Sequence, residues 1–320
     1  MAEAMFEHMI GEGVAQKHDH AISLGMARRI DHGIDQAEGL RRLLSGVPLQ
    51  FVTLTSARSE PGRPWAVLNL AAALRLAGVG VLVIDAAAGD AGGLARASGS
   101  GFELADVLAG RCALEAAILP GPEGIPLLPA RTGVAGLAGN GALGRQFSER
   151  LHGLPGGIEV LLINLPADES GRQVSDALLE HDVVISVQPD RDSITSAYRL
   201  IRRLAATGGK RRFRLLVTGA SNVEEARRVY QNLSDALERW LDARLDLLGV
   251  MPAESTLRAA ASRGRSVVAS EPTAAAASSF RRMANSLIRW RSRADAGTPT
   301  GLSPFSWSDA VGLAKPSLRG

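Results

Sequence analysis

The chain has 320 residues, 46% of them hydrophobic and 4% aromatic, which suits one large domain or one domain with appendages. It contains no run of eighteen apolar residues, so no membrane-spanning helix is expected, and its opening MAEAMFEHMIGEG has early acids and no apolar stretch, unlike a signal peptide. Its single cysteine, Cys112, excludes an internal disulfide framework and fits a reducing cytosol, and a net charge of +3 with pI near 9.5 reads as a solvated Arg-rich surface rather than a nucleic-acid footprint.

Residues 1–30 read as a polar, flexible tail. Four of the six histidines lie in the first 32 residues: His8, His18, His20 and His32. The pair His18-x-His20 has no further spaced Cys or His to complete a metal site, so no metal ligand is expected. Residues 31–46 follow with Ile34, Ala37, Leu40, Leu43 and Leu44 at helical spacing and Asp35 as an N-cap. On these residues alone the segment is a short amphipathic helix.

The stretch from Val52 to Ala73, VTLTSARSEPGRPWAVLNLAAA, organises what comes next. An apolar run (Phe51–Leu54) leads into a loop, and the loop into an Ala/Leu helix over Ala66–Leu76. Strand, loop and helix form the setting in which backbone N–H groups and a helix N-terminus hold phosphate. The loop carries one glycine, Gly62, followed by Arg63, Pro64 and Trp65, where a phosphate loop has Gly-Lys and a hydroxyl residue. A second buried strand is expected over Val79–Asp85, with an acid at its C-terminal end, where doubly wound folds place their sites.

Gly89–Gly101 lacks periodicity and reads as a surface loop. Phe102–Ala117 reads as a helix and Ile125–Pro129 as a short strand. Gly133–Gly144 is low in complexity and reads as mobile. A helix over Gln146–Gly153 and a strand over Ile158–Leu165 follow, the latter ending in INLPAD. Asp182–Val187 is a further buried strand. Pro189–Leu204 is a helix with Asp192 and Ser193 as N-cap candidates and Ile194, Ala197, Tyr198, Ile201 and Leu204 on its apolar face. Arg212–Gly219 is a strand, and Glu224–Arg244 a helix with Ala226, Val229, Tyr230, Leu233, Leu237 and Leu241 inward. Leu245–Pro252, Leu257–Arg265 and a last helix, Thr273–Trp290, complete the domain. Phe280, Met283, Leu287 and Trp290 share one face of that helix. It reads as a docked terminal helix, with an interfacial membrane helix as the alternative. The resulting boundaries are 1–30, 31–46, 47–292 for an α/β domain, and 293–320 for a flexible tail in which Phe305 and Trp307 are weak anchors.

Several of these segments resemble one family. Thr55–Leu74 aligns without a gap to TSGKGGVGKTTVAVNLAAAL, the deviant Walker A of MinD/ParA ATPases. Thr55, Ser56, Gly62, Asn69, Leu70 and 71–74 match it. Asp35-Gln36-Ala37-x-Gly39-Leu40-Arg41 resembles the DQAxxLR segment ahead of the ATPase domain in the FlhG (FleN) family, and PDRDSITSAYRLIRRL resembles that family's PDPTSITDAYALIK. The resemblance runs from Asp35 to Trp290. It implies a mostly parallel, doubly wound α/β sheet flanked by helices, MinD/ParA-like, with the P-loop NTPase fold. It further implies a regulator of flagellar number and placement whose Asp35–Arg41 segment stimulates an FlhF-type GTPase of the signal-recognition-particle class. In such an activator, Gln36 would orient a water or switch residue and Arg41 would meet phosphate-side charge.

The same alignment places Arg58 at the family's signature lysine, Arg63 at the phosphate lysine and Pro64 at the Mg²⁺-binding threonine. Asp85 matches the first Asp of VLVIDADLG, whereas Ala87 takes the place of the water-activating second. Asn164 takes the place of the Walker B aspartate, Asp168 lies beyond the Pro166 turn, and Thr218-Gly219-Ala220 stands where an Asn reads adenine. A degenerate nucleotide site is expected at Arg58, Gly62, Arg63, Pro64, Asp85 and Asn164, with no catalytic residue assigned and hydrolysis expected to be lost. Each missing electrostatic contact is worth about 3 kcal/mol of transition-state stabilisation. The expectation is therefore a protein-binding regulator without firm need of ATP or Mg²⁺. Its expected partners are an FlhF-type GTPase and flagellar switch proteins or a transcription regulator. No nucleic acid and at most weak membrane contact are expected, in the cytoplasm or peripherally at the inner membrane or pole. The alternative is an active MinD-like ATPase that dimerises on ATP and binds the membrane.

Overall fold

A computed structural model describes residues 49–60, 62–87, 94, 101–139, 141–154, 157–166, 182–208, 212–241, 243–253 and 255–295. The chain divides into Met1–Pro48 and Leu49–Gly320, and every described residue belongs to the second unit. The 1–30 tail, the 31–46 segment with Asp35, Gln36, Ala37, Gly39, Leu40 and Arg41, Asp168, and residues after 295 lie outside the described residues.

In chain order the elements are β1 (Gln50–Thr55), α1 (Gly62–Leu76), β2 (Val81–Asp85), α2 (Leu104–Leu108), α3 (Leu114–Ala117), β3 (Leu119–Pro120), β4 (Pro126–Pro129), α4 (Val134–Gly139), α5 (Gly141–His152), β5 (Val160–Asn164), β6 (Asp182–Val187), α6 (Arg191–Gly208), β7 (Arg212–Ala220), α7 (Val223–Leu241), β8 (Arg244–Pro252), α8 (Ser255–Ser262), α9 (Val267–Ser270) and α10 (Ala275–Asp295). Among the described residues, eight strands form one sheet in the order β3-β4-β2-β5-β1-β6-β7-β8. All neighbours are parallel except the short β3–β4 pair. The expected doubly wound sheet is thus present.

Strands buried on both faces must be apolar on both, which is why these segments read as continuous hydrophobic runs rather than alternating ones. Along β1, Val52 and Leu54 face the layer made by α1, α8, α9 and α10, together with Val81, Val83, Leu162, Val184 and Leu216. The other face, with Leu82, Ile84, Leu161, Ile163, Ile185 and Val217, meets Leu104 of α2, Phe147 of α5, Ile201 of α6 and Leu233 of α7. β1 lies between β5 and β6, so the crevice over its C-terminal end is where strand order changes direction and ligand sites of such sheets form.

Several segments differ from expectation. The helix expected from Ala66 begins at Gly62, so Arg63 and Pro64 lie in its first turn. Pro64 is tolerated there because first-turn N–H groups have no intrahelical partner. The helix expected over Phe102–Ala117 is broken into α2 and α3, with Gly110 at φ 70° between them. Gly133–Gly144, read only as low in complexity and mobile, contains α4 and the start of α5. The expected N-cap of α6 also moves: Asp190 Oδ1, rather than Asp192 or Ser193, accepts the Ser193 N–H at 2.8 Å. The last helix is docked, with Phe280, Met283 and Leu287 fully buried against α1 and β8 and Trp290 partly so.

Candidate functional site

The register of the central strands sets the site. β2 and β5 run parallel with Asp85 opposite Asn164, and β5 sits beside β1 with Asn164 opposite Leu54. The C-terminal residues of β2 and β5 therefore stand side by side below the loop that joins β1 to α1. Asn164 Nδ2 donates to Asp85 Oδ1 at 2.7 Å, and both side chains are fully buried. The other carboxylate oxygen of Asp85 accepts the Leu94 N–H at 2.6 Å.

Arg63 enters this arrangement from the first turn of α1. The residue is 2% exposed. Nε donates to Asn164 Oδ1 at 3.1 Å, and Nη1 donates to Ser56 Oγ at 3.0 Å. Ser56 Oγ in turn donates to the Arg58 carbonyl at 2.7 Å. A continuous chain of bonds, Ser56–Arg63–Asn164–Asp85, thus joins the loop, α1, β5 and β2. Burial pulls the guanidinium pKa down, and the carboxylates of Glu60 and Asp85 push it back up.

Glu60, inside the loop, points the other way across the crevice. It is 5% exposed. Ser186 Oγ at the end of β6 donates to Glu60 Oε2 at 2.5 Å, and Thr218 Oγ1 on β7 donates to Glu60 Oε1. Burial raises its pKa. The hydroxyl hydrogen bonds and the Arg63 charge pull it down, and Asp190 raises it further. The Glu60 carbonyl also accepts the Arg63 N–H at 3.3 Å. Gly62 packs closely under β8: a Cβ there would meet Met251 Cε at 2.9 Å, a contact the flexible methionine end must move to relieve.

Of the residues singled out in the sequence, Arg63, Asp85 and Asn164 are brought together, Gly62 and Pro64 flank them in α1, and Ala87 is buried in the turn after β2. Arg58 is not part of the cluster. It forms an exposed ion pair with Asp192 at 3.2 Å. Sequence reasoning missed Glu60 and Ser186, and met Ser56 only as a motif match and Thr218 only at the adenine-reading position. One signal was available, since Glu60 stands where the aligned phosphate loop has a glycine.

The cluster does not fit a Mg²⁺–phosphate complex. Mg²⁺ holds oxygen ligands at about 2.0–2.1 Å in octahedral geometry and reaches its carboxylate directly or through water. Here the residue at the lysine position bonds the residue at the aspartate position directly, at 3.1 Å, with no room between them for an ion. Both Asp85 oxygens accept protein N–H groups. Among the described residues no group of three or more His, Cys, Asp or Glu is placed to hold a metal ion.

Other polar contacts are structural. Asn69, a match to the aligned motif, accepts the Val267 N–H at 2.7 Å and donates to the Trp65 carbonyl at 2.8 Å, tying α1 to the start of α9. Ser266 caps α9 and donates from N and Oγ to the Glu123 carboxylate at 2.9 and 2.6 Å.

No protein-family model matches the chain. It is 29% identical over 261 residues to the antiactivator FleN of Pseudomonas aeruginosa, covering 78% of this chain and 90% of that protein. It is also 29% identical over 240 residues to an uncharacterized ATP-binding protein of Methanocaldococcus jannaschii, covering 74% and 87% respectively. Among solved structures, the MinC:MinD cell division protein complex of Aquifex aeolicus superposes with a TM-score of 0.57 at 21% identity, over 80% of this chain and all of the matched one. The resemblance to the FleN family is borne out by sequence, and the MinD/ParA type by fold.

Proposed function

We propose, taking the chain as a FleN-like protein built on the MinD/ParA fold, that it regulates flagellar number and placement by binding other proteins and does not turn over ATP. One observation carries this reading. The residues aligned with the phosphate lysine and the Walker B aspartate, Arg63 and Asn164, are hydrogen-bonded to each other, and Asn164 is bonded to Asp85. In an ATPase those positions must face substrate phosphate and Mg²⁺ in order to stabilise charge developing in the transition state. Here they hold the loop to the sheet. Ala87 has neither a basic atom for the attacking water nor a polar group to orient it.

The likeness to an antiactivator supports an activator protein as one partner. The Asp35–Arg41 segment is proposed to be the part that stimulates an FlhF-type GTPase, with Gln36 and Arg41 at that partner's nucleotide. The proposed location is the cytoplasm, including its face at the inner membrane or pole. Among the described residues no helix is long and apolar enough to cross a membrane.

The second reading, an active ATPase, is favoured by the M. jannaschii relative named for ATP binding. Titration of the purified full chain with ATP and Mg²⁺ separates the two. The first reading expects no phosphate release above background, and metal-dependent turnover would overturn it. For the partner role, Gln36→Ala is expected to abolish stimulation of the GTPase, read as phosphate release by the partner. Undiminished stimulation would refute the assignment of that segment.

A further inference from the structure

We propose that Glu60 is a built-in occupant of the crevice. Its carboxylate, seated on Ser186 and Thr218 and attracted by the Arg63 charge, stands in for an external anion and latches the loop segment Ser56–Glu60 shut. The proposal deepens the reading above and rests on it, because it says what keeps the nucleotide-type site closed.

The geometry is that of a ligand rather than of a surface acid. A carboxylate in water loses solvation on burial, and it stays inside only where donors and opposite charge replace the lost water. Glu60 is 5% exposed, and both of its oxygens accept from hydroxyls at the C-terminal ends of neighbouring strands. Arg63 supplies the opposite charge from the same loop end. No acid stands in the first turn of α1, so Glu60, two residues before the helix, is the carboxylate nearest its N-terminal end in sequence. The loop is thereby pulled in opposite directions across the sheet, its two ends one way and Glu60 between them the other. Ser56 and Arg63 are fastened toward β5 and β2, and Glu60 toward β6 and β7. The crevice over β1 is bridged on both sides by this chain's own groups. A phosphate-bearing ligand of the nucleoside triphosphate class meets the loop only when Glu60 has left its seat.

The test uses the full-length chain and the variants Glu60→Ala and Glu60→Gln, the second isosteric and uncharged. The probes are sodium tripolyphosphate and Mg·ATP. Two quantities are read: hydrogen exchange across residues 52–66, and probe binding by calorimetry. Glu60→Ala is expected to speed loop exchange at least tenfold and to bind tripolyphosphate at least tenfold more tightly than the unsubstituted chain. Glu60→Gln keeps one hydroxyl as donor to its amide oxygen, offers the other an N–H instead of an acceptor, loses the charge, and is expected to fall between. It also decides the matter should the alanine variant fail to fold.

Unchanged loop exchange in both variants would overturn the latch. Faster exchange with no gain in tripolyphosphate binding would overturn the stand-in role, because no anion affinity would have been masked. If the unsubstituted chain hydrolyses Mg·ATP, the regulatory reading falls. The latch is then judged separately by whether Glu60→Ala tightens Mg·ATP binding tenfold, and equal affinity refutes it.

Discussion

At the scale of single residues, Arg63, Asn164 and Asp85 are bonded to one another, and two predictions follow from the buried charges. Arg63 bridges Ser56 and Asn164 and faces Glu60. Arg63→Leu leaves a buried carboxylate without its counter-charge and Asn164 Oδ1 without its donor, so a loss of about 3 kcal/mol in urea unfolding is expected. Adding Glu60→Gln to Arg63→Leu removes the orphaned charge. The pair should therefore lose less than the two single losses combined. Glu60 also makes a pH prediction. Burial raises its folded pKa above the ordinary value of 4.5, opposed by Ser186, Thr218 and Arg63 and reinforced by Asp190. In the window upward from 4.5 the folded chain binds more protons than the unfolded one, so this group's contribution is full below that value and is lost as pH rises. The melting temperature of Glu60→Gln relative to the unsubstituted chain should therefore climb between pH 4.5 and 7. A flat difference would show that Glu60 titrates normally.

At the scale of elements, the strands were legible and the helix ends were not. Asp182–Val187 was read with the bounds the structure shows, because a fully buried parallel strand is a short apolar run bounded by polar residues. The start of α1 was misplaced because the Gly62-Arg63-Pro64 run reads as loop chemistry. Only the tertiary bonds of Arg63 reveal that it is already helical. α4 was missed because VAGLAG lacks amphipathic periodicity, and Gly110 breaks α2 from α3 through a backbone angle that composition does not announce. At the site, the substituted motif positions could be read from the alignment. The bonds among Arg63, Asn164 and Asp85 depend on strand register, and the Glu60 seat depends on residues 126 and 158 positions away. Asn69 shows how such distant joints carry weight. Asn69→Ala would leave the buried Val267 N–H without its acceptor, and about 2 kcal/mol of stability should be lost in denaturant titration.

At the scale of the molecule, the last helix decides between two uses of an apolar face. Its residues suit either a core or a membrane surface, and the structure places Phe280, Met283, Ala284 and Leu287 against α1 and β8. Gly249 of β8 allows this approach, since a Cβ there would fall 2.6 Å from Met283 Cγ. Near the helix end the Trp290 ring covers the Arg214 guanidinium at 3.4 Å from its centroid. Arg214 is itself paired with Asp182 of β6 at 2.8 Å and lies 3.9 Å from Asp246 of β8. Three strands and α10 thus meet at one largely buried cation whose pKa is pulled down by burial, an effect the two aspartates offset only in part. A face engaged in this way is not free to enter lipid unless the core opens. Hydrogen exchange over 275–295 should accordingly stay slow when vesicles of anionic phospholipid are added to the full chain. Trp290→Ala should cost about 2 kcal/mol through lost ring packing and the lost cation–π contact, and should speed exchange along the same helix. Exchange in the unsubstituted helix that accelerates on vesicles would instead mean that α10 leaves the sheet to meet the membrane.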